Sequence, residues 1–208
     1  MNQNIIFDMD GTLLDTAIAT CEACESCRKD FNLPHLEKEA ITRAIGIPNP
    51  KFYEILYPDF PKKLVEAFGT KVEKLESEII QKLGKKLLFS GISNLLQYLE
   101  TQGVLMYLAS TGSKNHVITA ISSSGINRYF EEICFGEPDK TDIIKNLKHS
   151  RPFDKWIMVG DRKSDAKAAH KNDVFSIGAG FGYCGDLDKS HFDAFAENPM
   201  DIPEILGI

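Results

Sequence analysis

The chain has 208 residues, 43% of them hydrophobic, with 30 acidic against 24 basic side chains and a net charge of −6. That length can bury a full core and leave room for a small second unit. The acidic balance argues against a nucleic-acid polymer or an anionic membrane surface as partner, since both want a basic patch. No apolar run approaches the roughly 20 residues of a membrane span.

The first element is the apolar run Ile5 to Phe7, read as a buried strand. It ends in Asp8-Met9-Asp10-Gly11-Thr12, where two carboxylates are costly unless something pairs with them. From residue 16 to about 86 only helical patterns follow, over 16–31, 36–45 and 62–83. Pro34, Pro48, Pro50, Pro58 and Pro61 punctuate them. Alternation then resumes. Ile92, Leu95, Leu96 and Leu99 repeat with helical spacing. Val104 to Ala109 reads as a strand before Ser110-Thr111-Gly112-Ser113, and Val117, Ile118 and Ile121 mark a helix. Ile133 to Phe135 is a weaker strand before Gly136-Glu137-Pro138-Asp139-Lys140, followed by helical Ile143, Ile144 and Leu147. Trp156 to Val159 is a strand before Gly160-Asp161-Arg162-Lys163-Ser164-Asp165, and Val174 to Ile177 closes the series. The pattern is α/β: a doubly wound parallel sheet carrying an inserted helical block.

Such sheets bind ligands beyond the carboxyl ends of their strands. Asp8, Asp10, Asp161 and Asp165 all fall there and would repel one another unless a cation joined them. All-oxygen ligation with few protein groups suits Mg²⁺, which keeps waters and leans on a substrate phosphate. Ser110 and Thr111, before a helix N-terminus, make an anion site, and Lys140 adds positive charge. Together these point to phosphoryl transfer, where positioning and charge neutralisation do most of the catalysis.

The four segments, in this order and spacing, resemble the haloacid dehalogenase-like superfamily, in its phosphoglycolate-phosphatase-like branch, over nearly the whole chain. Asp8-Met9-Asp10-Gly11-Thr12 is similar to the first motif of that family, Ser110 to the second, Lys140 to the third and Gly160 to Asp165 to the fourth. The helical insertion resembles its C1 cap, and Gly180-Phe181-Gly182-Tyr183 resembles a glycine-tyrosine loop of the branch. The resemblance implies Asp8 as nucleophile and Asp10 as general acid/base, with the Asp10 backbone carbonyl on Mg²⁺. It implies Mg²⁺ ligation by Asp8, Asp161 and Asp165, the last either directly or through a water. It implies phosphoryl binding by Ser110, Lys140, Gly11 and Thr12. Counting along the strand places the second motif at Ser110, whereas counting back from Gly112-Ser113-Lys114-Asn115 places it at Thr111. The implied protein is a Mg²⁺-dependent phosphatase of small phosphorylated metabolites. Its core would comprise 1–15 and 87–208, its cap 16–86, with hinges near Asp15-Thr16 and Lys85-Lys86.

Two rivals stand beside it: a phosphomutase of the β-phosphoglucomutase type, and a non-catalytic binding protein on the same scaffold. The acid at Asp10 favours a phosphatase or mutase over a dehalogenase. Cys21, Cys24 and Cys27 have a spacing that invites a metal cluster, but they fall on one helix and read as packing. An odd five cysteines, with no leader pattern at the N-terminus, fit a reduced cytoplasm. Arg43, in the segment Arg43-Ala44-Ile45-Gly46-Ile47-Pro48, is a candidate for holding a second anionic group of the substrate, set against an ordinary solvated helix arginine. Oligomeric state is open.

Overall fold

The computed structural model describes residues 3–151, 155–185 and 189–208. Its strands are β1 (Gln3–Phe7), β2 (Leu105–Ser110), β3 (Phe130–Phe135), β4 (Lys155–Gly160), β5 (Phe175–Ala179) and β6 (Ala194–Ala196). They pair in parallel in the order β3-β2-β1-β4-β5-β6. β1 takes a central place because Ile5, Ile6 and Phe7 are fully buried, as a strand covered on both faces must be. Phe7 stands level with Leu108 of β2 and Val159 of β4, so the residues that follow all three strands emerge at one edge.

Helices α1 (Ala17–Arg28), α2 (Lys38–Ala44), α3 (Lys51–Leu56) and α4 (Lys62–Leu83) fill the insertion. Then come α5 (Ile92–Thr101), α6 (Lys114–Ser124), α7 (Thr141–Ser150), α8 (Lys163–His170) and α9 (Asp201–Leu206). The pleat separates the two covers. Ile5 and Phe7 pack with Leu95, Leu96 and Val117 of α5 and α6, whereas Ile6 packs with Ile143, Ile144 and Ala168 of α7 and α8. The sheet is therefore doubly wound, as expected. The short elements β6, α3 and α9 were not anticipated from the sequence.

In the insertion, α4 buries Val65, Phe68, Val72, Ile79 and Ile80 against its neighbours, and Glu76 lies in the same stripe. The Phe68 ring meets Phe31, Tyr53 and Tyr57 edge-on, at 5.7, 5.8 and 5.3 Å between centroids. Cys24 and Cys27 are buried on α1 and belong to the apolar core. Among the described residues the cysteines enter no group able to hold a metal. The two connections to the sheet run side by side: Asp15 N–H donates to Leu87 O at 2.7 Å, and Phe89 N–H to Leu13 O at 3.1 Å. No helix among the described residues is long and apolar enough to cross a membrane.

Candidate active site

The strand ends place four of the expected residues together. Asp8 follows β1, and its backbone N–H still pairs with Val159 O at 2.9 Å. Asp161 follows β4, and Asp165 lies in the first turn of α8. Oxygens of Asp8, Asp161 and Asp165 lie within 4.8 Å of one another, all three residues buried. Lys140, just before α7, drives its ammonium between two of them, 2.6 Å from Asp8 Oδ1 and 2.5 Å from Asp165 Oδ1. Thr12 donates its hydroxyl to Asp161 Oδ1 at 2.9 Å. Asp161 Oδ2 is buried without a hydrogen bond among the described residues, although Arg162 Nε stands 3.0 Å away.

Burial is the largest influence on these carboxyls. It raises Asp8 well above its ordinary range, helped by Asp165 and Asp161 and opposed by Lys140. Asp161 is pushed up to about 7 by burial and by the Asp165 charge, against Arg162, Lys140 and Thr12. Lys140 is raised: burial would lower it, but Asp165 and Asp8 outweigh that. Three buried carboxylates, one with an oxygen left without a hydrogen bond, form an all-oxygen set suited to a hard divalent cation.

Asp10 stands apart from that group. Its Oδ1 accepts from Thr16 Oγ1 at 2.7 Å and lies 2.9 Å from His116 Nε2 on α6. The other ring nitrogen of His116 is 3.8 Å from Glu76 Oε2, and Thr20 donates to Glu76 Oε1 at 2.5 Å. Burial would raise Asp10, but the His116 charge and the hydrogen bonds of His116 and Thr16 bring it below its ordinary value. Burial would lower His116, but Asp10 and then Glu76 push it up to about 10. Glu76 itself is raised by its burial.

These shifts set a pH dependence. Folded Asp161 holds its proton up to about pH 7, whereas the unfolded chain releases it near 3.8. The folded state binds the extra proton over that interval, so stability falls as pH rises through it. Protonated His116 contributes stability that is complete below pH 6.5 and lost as pH rises through about 10. Asp10, held low, acts only below about pH 4. In a chelator, Tm is therefore expected to fall between about pH 5 and pH 9, and a divalent cation should raise it more at about pH 8 than at pH 5. A cation effect independent of pH would count against the carboxylate group as its site.

The second-motif choice resolves into two different placements. Ser110 ends β2, is 2% exposed, and accepts from Gly112 N–H at 3.0 Å. Thr111 faces the insertion and donates to Gly46 O at 3.1 Å. Neither caps α6, because Ser113 does so by accepting from His116 N–H. Gly11 has φ of 84°, and a Cβ there would lie 2.7 Å from Asp161 Oδ2. The glycine-tyrosine loop clamps this turn: Tyr183 N–H donates to Gly11 O at 3.0 Å. The Tyr183 hydroxyl donates to Asp15 Oδ1 at 2.6 Å and accepts from Ala17 N–H at 2.7 Å. Arg43 is exposed on α2 and is not among the residues lining the cavity beside Asp10.

From the sequence, His116 reads as a surface or supporting histidine on a helix near the motifs, and Glu76 and Arg162 carry no assigned role. Arg162 meets Asp161 on one side and donates to Thr42 O in the insertion at 2.7 Å on the other. His116 lies 106 residues from Asp10, so no local pattern announces the pair. A glutamate in the apolar stripe of α4 was the one visible signal for Glu76.

The profile of the haloacid dehalogenase-like hydrolases matches residues 5–179. The tyrosine-protein kinase PtkA of Mycobacterium tuberculosis is 28% identical over 204 residues, covering 90% of this chain. The chain spans 66% of the length of that relative. A phosphoglycolate phosphatase of Vibrio parahaemolyticus is 24% identical over 218 residues, covering 98% of this chain and 96% of its own. The crystal structure of a predicted phosphoglycolate phosphatase from Haemophilus somnus shares the fold, with a TM-score of 0.87 at 19% identity over 99% of this chain and 98% of that one. With the sheet, the four motif segments and the profile in agreement, the chain belongs to the haloacid dehalogenase-like hydrolase family.

Proposed function

We propose that the protein is a Mg²⁺-dependent phosphatase of small phosphorylated metabolites that works through a phosphoaspartate at Asp8. The observation that carries this reading is the contact of Lys140 with Asp8 inside a group of three buried carboxylates. The kinship with phosphatases such as that of Vibrio parahaemolyticus supports it. The carboxylates of Asp8, Asp161 and Asp165, with the Asp10 backbone carbonyl, would hold the Mg²⁺. Bound there, the ion supplies positive charge that offsets the carboxylates and polarises phosphoryl oxygens.

Lys140, Ser110 or Thr111, Gly11 and Thr12 orient the phosphoryl group over Asp8. An Asp8 carboxylate oxygen attacks phosphorus, and the bond from phosphorus to the substrate oxygen breaks. Thr16 and His116 both engage Asp10 Oδ1, so Oδ2 is assigned to the leaving oxygen, which takes a proton from the Asp10–His116 pair. The alcohol departs. Asp10 then draws a proton from water, the water oxygen attacks phosphorus, and Asp8 is released with inorganic phosphate. The helices of 16–86 act as a lid over 1–15 and 87–208, turning at the paired connections near Asp15 and Leu87 and excluding bulk water. Thiols at Cys21, Cys24 and Cys27 suit a reducing cytoplasm.

The test is phosphate release from p-nitrophenyl phosphate with Mg²⁺ and with a chelator. Release that requires the ion supports the reading. If an aryl alcohol never appears under either condition, hydrolysis is not the activity of this site.

A further inference from the structure

Beside Asp10 lies a cavity of about 350 Å³, lined by the insertion on one side and by the segments that follow the strands on the other. It sits at the small end of the roughly 300–1,000 Å³ usual for small-molecule pockets. Any alcohol leaving from Asp8 toward Asp10 would be held here. The charged side chains lining it are Asp10, Glu73, Glu76 and His116, and no arginine or lysine is among its described lining residues. His116 is engaged already, since one ring nitrogen faces Asp10 at 2.9 Å and the other Glu76 at 3.8 Å. Among the described lining residues three carboxyl groups therefore face one cation, and that cation is matched within the wall.

The negative wall has a defined origin. Glu73 and Glu76 are three residues apart on α4 and so share a face. Glu76 is buried where the helix otherwise buries apolar side chains, and Thr20 holds its carboxylate in place. Asn49 Nδ2 donates to Glu73 Oε1 at 2.5 Å, fixing the second carboxylate against the loop after α2. Ser77 and Asn115 add neutral polar groups suited to hydroxyls. Arg43, the candidate for holding a second anion, is exposed and outside the lining.

We infer that the substrate is a phosphate monoester whose leaving group carries a protonated amine, a phosphorylated amino alcohol or amino sugar, and not a second anion. This rests on the phosphatase reading of the same site. A terminal carboxylate would face like charge with no cation to meet it, whereas an ammonium would meet Glu73 and Glu76.

The experiment compares three esters sharing a two-carbon chain: phosphoethanolamine, ethylene glycol monophosphate and phosphoglycolate. They end in an ammonium, a hydroxyl and a carboxylate. The expected order of kcat/KM follows that sequence, with the amine ahead of the acid by about a hundredfold. Glu73→Gln and Glu76→Gln should each narrow that ratio by about tenfold, and added salt should narrow it further. Because the ratio is taken within one protein, a general loss of activity leaves it interpretable. Phosphoglycolate turned over as well as phosphoethanolamine, with p-nitrophenyl phosphate hydrolysed normally, overturns this inference and leaves the phosphatase reading standing. If p-nitrophenyl phosphate is not hydrolysed, the phosphatase reading fails. Calorimetric binding of the three esters to Asp8→Asn then decides selectivity, and equal affinities overturn it.

Discussion

Asp8→Asn should abolish both phosphate release and labelling of the protein by phosphate, whereas Asp10→Asn should abolish turnover and spare the label. Asparagine at position 8 keeps the shape and can still accept from Lys140, but its amide oxygen carries no negative charge. Loss of a nucleophile that acts with its partners as one unit costs roughly 10⁴-fold or more in kcat. At position 10 the loss is of proton transfer, worth about 10²–10⁴-fold. An aryl phosphate separates the two because its leaving group departs without a proton. Asp10→Asn should therefore release about one equivalent of aryl alcohol in a burst and then stall as the phosphorylated protein. Stability distinguishes chemistry from misfolding. Asp8 is one of three buried carboxylates that repel one another. Neutralising it should leave the metal-free protein at least as stable as wild type at about pH 8. Steady turnover by Asp8→Asn would remove it as the nucleophile. Steady turnover by Asp10→Asn at the wild-type rate would remove the acid/base assignment.

The sheet was legible where burial writes a simple pattern. β1, β2 and β4 each contain a continuous apolar run, Ile5 to Phe7, Leu105 to Ala109 and Trp156 to Val159, because a strand covered on both faces buries nearly every side chain. The long helix α4 occupies 62–83 as its periodicity and the flanking Pro61 suggest. β6 escaped notice because three residues, Ala194–Ala196, carry no period. α3 and α9 are six residues each, held by their surroundings more than by propensity. The same divide runs through the site. Asp8, Asp161, Asp165 and Lys140 each follow a strand or open a helix, so topology alone brings them to one edge. The surroundings of Asp10 are of another kind. His116, Glu76 and Thr20 reach one another from three helices, and nothing local in the chain encodes that meeting. Strand length favours Ser110 over Thr111 for the second motif, and the two neighbours part company in the fold, the first at the strand end and the second against the insertion.

Lys140→Met should be the most destabilising single change in the site, and its cost should depend on pH and on divalent cation. The ammonium is 7% exposed and touches Asp8 and Asp165 together. Removing one partner of a buried ionic group costs about 3–5 kcal/mol, which for a chain of this size is a fall in Tm of about 10 °C. Methionine keeps most of the volume, so the loss reports charge more than packing. The folded pKa of Lys140 is raised, so its contribution is fully present below the unfolded value of about 10.5 and unchanged between pH 5 and pH 8. The variation over that range comes from the carboxyls. Near pH 5, Asp8 and Asp161, both raised, can keep their protons, and little negative charge is left uncompensated. Near pH 8 they are driven to ionise without their cation, and the variant should fall furthest below wild type. Mg²⁺ should then restore much of the lost Tm by supplying charge to the same oxygens. It should not restore phosphate release, because the lysine also has a phosphoryl oxygen to hold. A variant as stable as wild type at about pH 8 in a chelator would show that Lys140 does not compensate this group. Full rescue of turnover by Mg²⁺ would show that it does not bind the substrate.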